Sequence, residues 1–107
     1  MPNANVLEID NQVIFKALVS TGLVVVDFFA TWCGPCKAVA PTLGKFSEQF
    51  LNVRFISVDV DKLQSAAVEH GVNAMPTFIL FKDGKEVGRV VGGDMKKLEA
   101  EIQKISA

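Results

Sequence analysis

"LVVVDFFATWCGPCKAVAP", residues Leu23 to Pro41, carries the features on which the fold turns. Its first part, Leu23 to Ala30, is mostly β-branched or aromatic and is interrupted by one carboxylate, Asp27. A run that is apolar on both faces reads as a strand buried on both sides, at the centre of a sheet covered by helices. Both cysteines of the chain follow at once. Cys33 and Cys36 are separated by Gly34-Pro35, and Trp32 precedes the first. A helix is expected to begin within this motif and to run to about Phe50. Pro41 inside it removes one helical hydrogen bond and should kink it.

Working outward, "NVLEID" (Asn5 to Asp10) alternates as a short strand does. Asp10 or Asn11 then caps a helix whose apolar face is Val13, Ile14, Ala17 and Leu18, closed by Thr21-Gly22. Downstream, "VRFISVDV" (Val53 to Val60) reads as a strand. Asp61 is a fair N-cap for a helix through Glu69 that Gly71 ends. "PTFILFKDGKEVGRVVG" reads as two strands joined at Lys82-Asp83-Gly84-Lys85, because Asp-Gly between apolar runs signals a hairpin. Asp94 caps a last amphipathic helix with Met95, Leu98, Ile102 and Ile105 on one face. The order β-α-β-α-β-α-β-β-α predicts an α/β fold: a central mixed sheet of about five strands flanked by about four helices. No internal repeat, low-complexity tract or linker divides residues 1–107, so one domain is expected.

The 107 residues are 50% hydrophobic and 21% charged, with 11 basic and 12 acidic side chains and a net charge of −1. That composition suits a globular domain. No run of like charges exceeds Lys96-Lys97, so neither a nucleic-acid nor an anionic-membrane partner is expected. The apolar run from Leu23 is far too short to span a bilayer. The first ten residues lack the pattern of a signal or transit peptide, which points to the cytoplasm.

Three readings of the cysteine pair compete. Structural zinc takes four Cys or His ligands, whereas the chain has two cysteines and one histidine, His70. A structural disulfide here would close a tiny loop and constrain little of the unfolded chain. The reactive reading has more support. At a helix start the first sulfur meets unpaired N–H groups and the positive end of the macrodipole, which favour a nucleophilic thiolate. The second sulfur lies one turn further in. An exposed attacker and a sheltered resolver are expected.

"WCGPCK", preceded by "VVVDFFAT" and followed by "AMPTF" and "VGG", resembles the thioredoxin family, and the likeness spans nearly the whole chain. "VDVD" and "AMPTF" are more similar to eukaryotic than to bacterial members. The resemblance implies a thioredoxin fold and a protein-disulfide reductase. Cys33 would attack a target disulfide, and Cys36 would resolve the mixed disulfide, leaving Cys33–Cys36 oxidised. No bound cofactor or metal is implied. Electrons would come from NADPH through a partner, thioredoxin reductase, and the partners otherwise would be disulfide-containing proteins met by a monomer. Gly34 and Pro35 shape the turn between the cysteines, and Gly-Pro marks the reducing variety. Oxidase or isomerase action on the same fold, or service as a binding subunit, are the alternatives.

Asp27, a carboxylate among valines and phenylalanines, should have its pKa raised by desolvation. In the family such an Asp accepts the proton of the second cysteine. Bacterial members pair it with a lysine on the next strand, where this chain has Ser57. Pro76 would be the family's cis-proline, exposing the backbone of Met75 to an extended substrate. Trp32, Met75, Pro76, Gly92 and Gly93 would form the substrate surface, although a Gly pair before a helix serves equally as a turn. Many members have Ala at the position of Gly93. His70 suits a helix end, and Lys37 a solvated helix face.

Overall fold

The computed structural model describes residues 5–107. The elements follow the expected order: β1 (Val6–Glu8), α1 (Gln12–Val19), β2 (Leu23–Phe29), α2 (Gly34–Gln49), β3 (Val53–Asp59), α3 (Gln64–Glu69), β4 (Thr77–Lys82), β5 (Lys85–Val91) and α4 (Met95–Ser106). The strands form one sheet in the order β1-β3-β2-β4-β5. β1, β3 and β2 run parallel, while β4 lies antiparallel to β2 and to β5. β2 therefore holds the centre, as its two-sided apolar pattern requires.

The alternation along β2 feeds two cores. Val24, Val26 and Phe28 face α1 and α3 and pack with Phe15, Val19, Ile56, Val58, Ala66 and Ile79. Val25 faces α2 and α4 and packs with Leu43, Phe46, Phe55, Phe78, Leu98 and Ile102. Each fully buried side chain of this size contributes about 1.5–3 kcal/mol relative to exposure. Asp27 shares the face of Val25, so the only carboxylate of β2 points toward α2.

Local chemistry accounts for the connections. Asn11 accepts the amide of Ile14 at 3.0 Å and caps α1. The hairpin turn has φ 49° at Asp83 and 85° at Gly84, the pair of positive angles that a two-residue turn of this hand needs. Asp83 also ties the turn to the β2 entrance: its amide donates to the Gly22 carbonyl, and its carboxylate accepts the Gly22 amide, each at 2.9 Å. Asp94 caps α4 by accepting the Lys97 amide at 3.0 Å. α2 runs through Pro41 as one helix, with the Lys37 carbonyl lacking the donor that a proline cannot supply.

Two expectations change. The first strand is shorter than Asn5–Asp10 and stops at Glu8. α3 begins at Gln64 with Leu63 as its N-cap and no side-chain capping bond, so Asp61 does not cap it. No helix among the described residues is long and apolar enough to cross a membrane.

Candidate active site

The end of central strand β2 delivers the chain into a short loop at Ala30–Trp32, from which α2 starts. Cys33 is the N-cap of that helix, with extended backbone (φ −94°, ψ 110°), and Pro35 stiffens its first turn. The Cys33 amide donates to the Ala30 carbonyl at 3.2 Å. The Cys33 sulfur accepts the Cys36 amide at 3.1 Å. A serine or aspartate would normally fill that role. Here a sulfur takes it, so the N–H groups and the helix dipole favour negative charge on this atom once the pair is reduced.

Cys33 and Cys36 are joined as a disulfide with their Cα atoms 5.3 Å apart. The expected contrast between an exposed attacker and a sheltered resolver is absent in this state: the residues are 5% and 6% exposed. The bond holds the first sulfur against the helix turn, and Ala30, Phe29, Val60 and Met75 enclose the pair.

Across the site, Met75–Pro76 is cis. The Pro76 carbonyl accepts the Gly92 amide at 2.8 Å, which binds the loop after β5 to the loop before β4. Gly92 has φ 95°, a conformation costly for any residue with a side chain. Gly93 is tight for another reason. A Cβ there would lie 3.2 Å from Val39 Cγ1 on α2. Gly92 is thus tied to the cis-proline loop and Gly93 lies against α2, both in the turn before α4. Trp32, directly before Cys33, is 66% exposed. Its indole Nε1 donates to Asp61 Oδ2 at 3.0 Å.

Asp61 is the residue that the sequence reading misplaced. Its signal was its position just past β3. Because β2 and β3 are parallel and register Phe29 with Asp59, residues just beyond their ends must meet. The buried carboxylate of Asp59 accepts the Asp61 amide at 2.9 Å and shapes that loop.

Asp27 lies on the sheet face that α2 covers, desolvated as its apolar neighbours in β2 imply. It is buried, and its Oδ1 has no hydrogen-bond partner among the described residues. Burial pushes its pKa up from 3.8 to about 7, since no cation or donor offsets the lost hydration. Asp27 lines a cavity of about 420 Å³ together with Glu8, Phe29, Thr31, Cys36, Lys37, Ala40 and Ser57. The carboxylate and the second cysteine therefore open onto one space. Ser57 does stand beside Asp27 in the sheet register. His70 lies away from this site, with its ring edge-on to Phe15 and Phe81.

A parallel-antiparallel sheet, a helix capped by one half of a Cys-Gly-Pro-Cys disulfide, and a cis-proline opposite it define a thiol–disulfide oxidoreductase of the thioredoxin fold. The comparisons narrow this. The Thioredoxin family model matches residues 5–104, and the chain belongs to that family. It is 58% identical over 108 residues to thioredoxin Asp f 28 of Aspergillus fumigatus, covering 100% of both chains. It is 50% identical to thioredoxin-1 of Schizosaccharomyces pombe, covering 92% of this chain and 96% of the other. The crystal structure of a Nicotiana alata thioredoxin superposes with a TM-score of 0.93 at 42% identity, over 98% of this chain and 96% of that one. The protein is a dithiol–disulfide protein reductase, and the oxidase and isomerase alternatives are not favoured.

Proposed function

We propose that Cys33 is the nucleophile, Cys36 the resolving thiol and Asp27 the acceptor of the Cys36 proton. The placement of Cys33 carries this reading: its sulfur caps α2 and takes the Cys36 amide, where negative charge is best held. The Cys33 thiolate attacks a target disulfide. One target sulfur leaves as thiolate, and the other stays bound to Cys33. Cys36 then loses its proton to Asp27 and attacks Cys33, which frees the second target sulfur and closes the Cys33–Cys36 bond. An Asp27 that titrates near neutrality is matched to this exchange.

The substrate surface in this reading is Trp32, Met75, cis-Pro76, Gly92 and Gly93, with Gly34 and Pro35 setting the turn between the thiols. The Met75 backbone beside the cis bond offers pairing to an extended peptide. The exposed indole supplies flat apolar contact. The protein acts as a single-domain monomer in the cytoplasm without a bound cofactor or metal, as part of cellular electron transport. It is recharged by thioredoxin reductase at the expense of NADPH.

The test is the reduction potential of the Cys33/Cys36 couple, measured by equilibration in dithiol/disulfide buffers and trapping of free thiols. A value below about −230 mV fits a reductase, and one near or above about −180 mV assigns oxidase or isomerase work instead. Cys33→Ser is expected to abolish turnover of a protein disulfide. Retained turnover would remove Cys33 from the role of nucleophile.

A further inference from the structure

Three parallel strands set a polar row beneath α2. Asp27 on β2 is in register with Ser57 on β3, and Ser57 is in register with Glu8 on β1. Residues in register on parallel neighbours share one face of the sheet. That face carries Val25 and Phe55 toward α2. Glu8, Ser57 and Asp27 all line the one cavity, beneath Cys36, Lys37 and Ala40. On the other side of Asp27 the row continues as Phe78 and Val90, both buried. The polar half leads outward and the apolar half closes the way.

The row differs in character along its length. Asp27 is buried, with an oxygen that has no partner among the described residues. Glu8 has a half-exposed side chain, 3.8 Å from Lys62 Nζ at the surface. Strands lie about 4.8 Å apart, so Asp27 and Glu8 stand roughly 10 Å apart, too far for direct transfer. The hydroxyl between them both donates and accepts.

We propose that Ser57 and Glu8 form the exit by which the proton that Asp27 takes from Cys36 reaches solvent. The proposal rests on Asp27 acting as the acceptor of that proton. In the step, the Cys36 S–H bond breaks and its proton goes to an Asp27 oxygen. The sulfur's electron pair forms the Cys33–Cys36 bond as the Cys33–target bond breaks, and the target leaves as thiolate. Asp27 then returns to carboxylate by releasing its proton along the cavity. Ser57 is not hydrogen-bonded to Asp27 at rest, so its hydroxyl must turn toward the carboxylate or be bridged to it by cavity water; it then gives up its own proton as it receives one, and Glu8 hands the proton to solvent. Ser57 and Glu8 act through Asp27 and are positioning residues. The charged groups facing the cavity are Glu8 from β1, Asp27 from β2 and Lys37 from α2, with Lys62 beside Glu8.

Below pH 7, Asp27 starts protonated and must empty before it takes the proton of Cys36. The exit then lies on the path of a single turnover. The experiment mixes the reduced protein rapidly with excess 5,5′-dithiobis(2-nitrobenzoate) between pH 5 and 8. The bimolecular phase reads attack by Cys33, and the first-order phase reads resolution by Cys36. Glu8→Gln and Ser57→Ala are expected to slow resolution roughly tenfold at pH 5–6 and to converge on the parent at pH 8, with attack unchanged. Glu8→Asp and Ser57→Thr should keep the parent rate, and added formate should restore Glu8→Gln. Circular dichroism checks that each variant is folded. If Asp27→Asn slows resolution and neither Glu8→Gln nor Ser57→Ala does, the proton leaves directly to cavity water and the exit is refuted. If Asp27→Asn leaves resolution unchanged, the acceptor reading fails first and the exit with it.

Discussion

Replacing Asp27 with asparagine should stabilise the folded protein, and by an amount that depends on pH. Burial raises the carboxyl from 3.8 to about 7. Well below pH 3.8 the folded and unfolded states both hold this proton, and the site contributes no difference. As pH rises from about 4 to about 7, the unfolded chain releases the proton while the folded protein keeps it. The folded state then binds more protons, so stability falls with pH across that window and levels off above it. A shift of about three units corresponds to about 4 kcal/mol at pH 8, an upper bound because the cavity admits water to the carboxylate. The carboxamide of the variant carries no charge at any pH and escapes the fall. Asp27→Asn should therefore match the parent near pH 3.5 and exceed it by about 2–4 kcal/mol at pH 8. The assay is urea unfolding of both proteins with the disulfide closed, so that no thiol titrates. The midpoint gap should open by about 1–3 M urea between pH 4 and 8. A gap that stays constant over that range would refute the argument, because it would mean that Asp27 ionises alike in both states.

Five further outcomes follow from the geometry. Cys36→Ser should accumulate a covalent Cys33–target adduct, visible by intact mass and released by dithiothreitol; absence of an adduct would remove Cys36 from the resolving role. Asp61→Ala should free the Trp32 indole, change its fluorescence and raise the KM for a protein disulfide about fivefold, the equivalent of about 1 kcal/mol. Gly92→Ala should cost about 1–2 kcal/mol because its φ is 95°. Gly93→Ala should stay within about 0.5 kcal/mol, since the Val39 methyl need yield only slightly; thermal unfolding of both variants checks the contrast. Arg89→Leu should lose about 1–3 kcal/mol in chemical denaturation, because the guanidinium donates to the His70 carbonyl at 2.6 Å and to both Glu86 oxygens, fastening the end of α3 to β5.

The sequence by itself determined the element order, because each element carries a local signal. β2 is apolar on both faces, Asn11 and Asp94 cap helices from their own side chains, and Asp83-Gly84 supplies the positive φ pair of the hairpin. It also determined the reactive pair, since the i, i+3 spacing of Cys33 and Cys36 at a helix start brings them together without help from the rest of the chain. The desolvation of Asp27 was legible from its neighbours in β2.

Tertiary structure decided what depends on distant parts of the chain. Asp61 is a plausible cap by its local sequence, yet its carboxylate is taken by an indole 29 residues away in sequence. A parallel register puts the ends of β2 and β3 side by side, and no local signal encodes that register. The near-equal burial of Cys33 and Cys36 likewise depends on Val60 and Met75, which arrive from other loops. The row of Glu8, Ser57 and Asp27 comes from three strands widely separated in sequence. Its members were ordinary polar residues until the parallel pairing set them on one face and α2 enclosed them in one cavity.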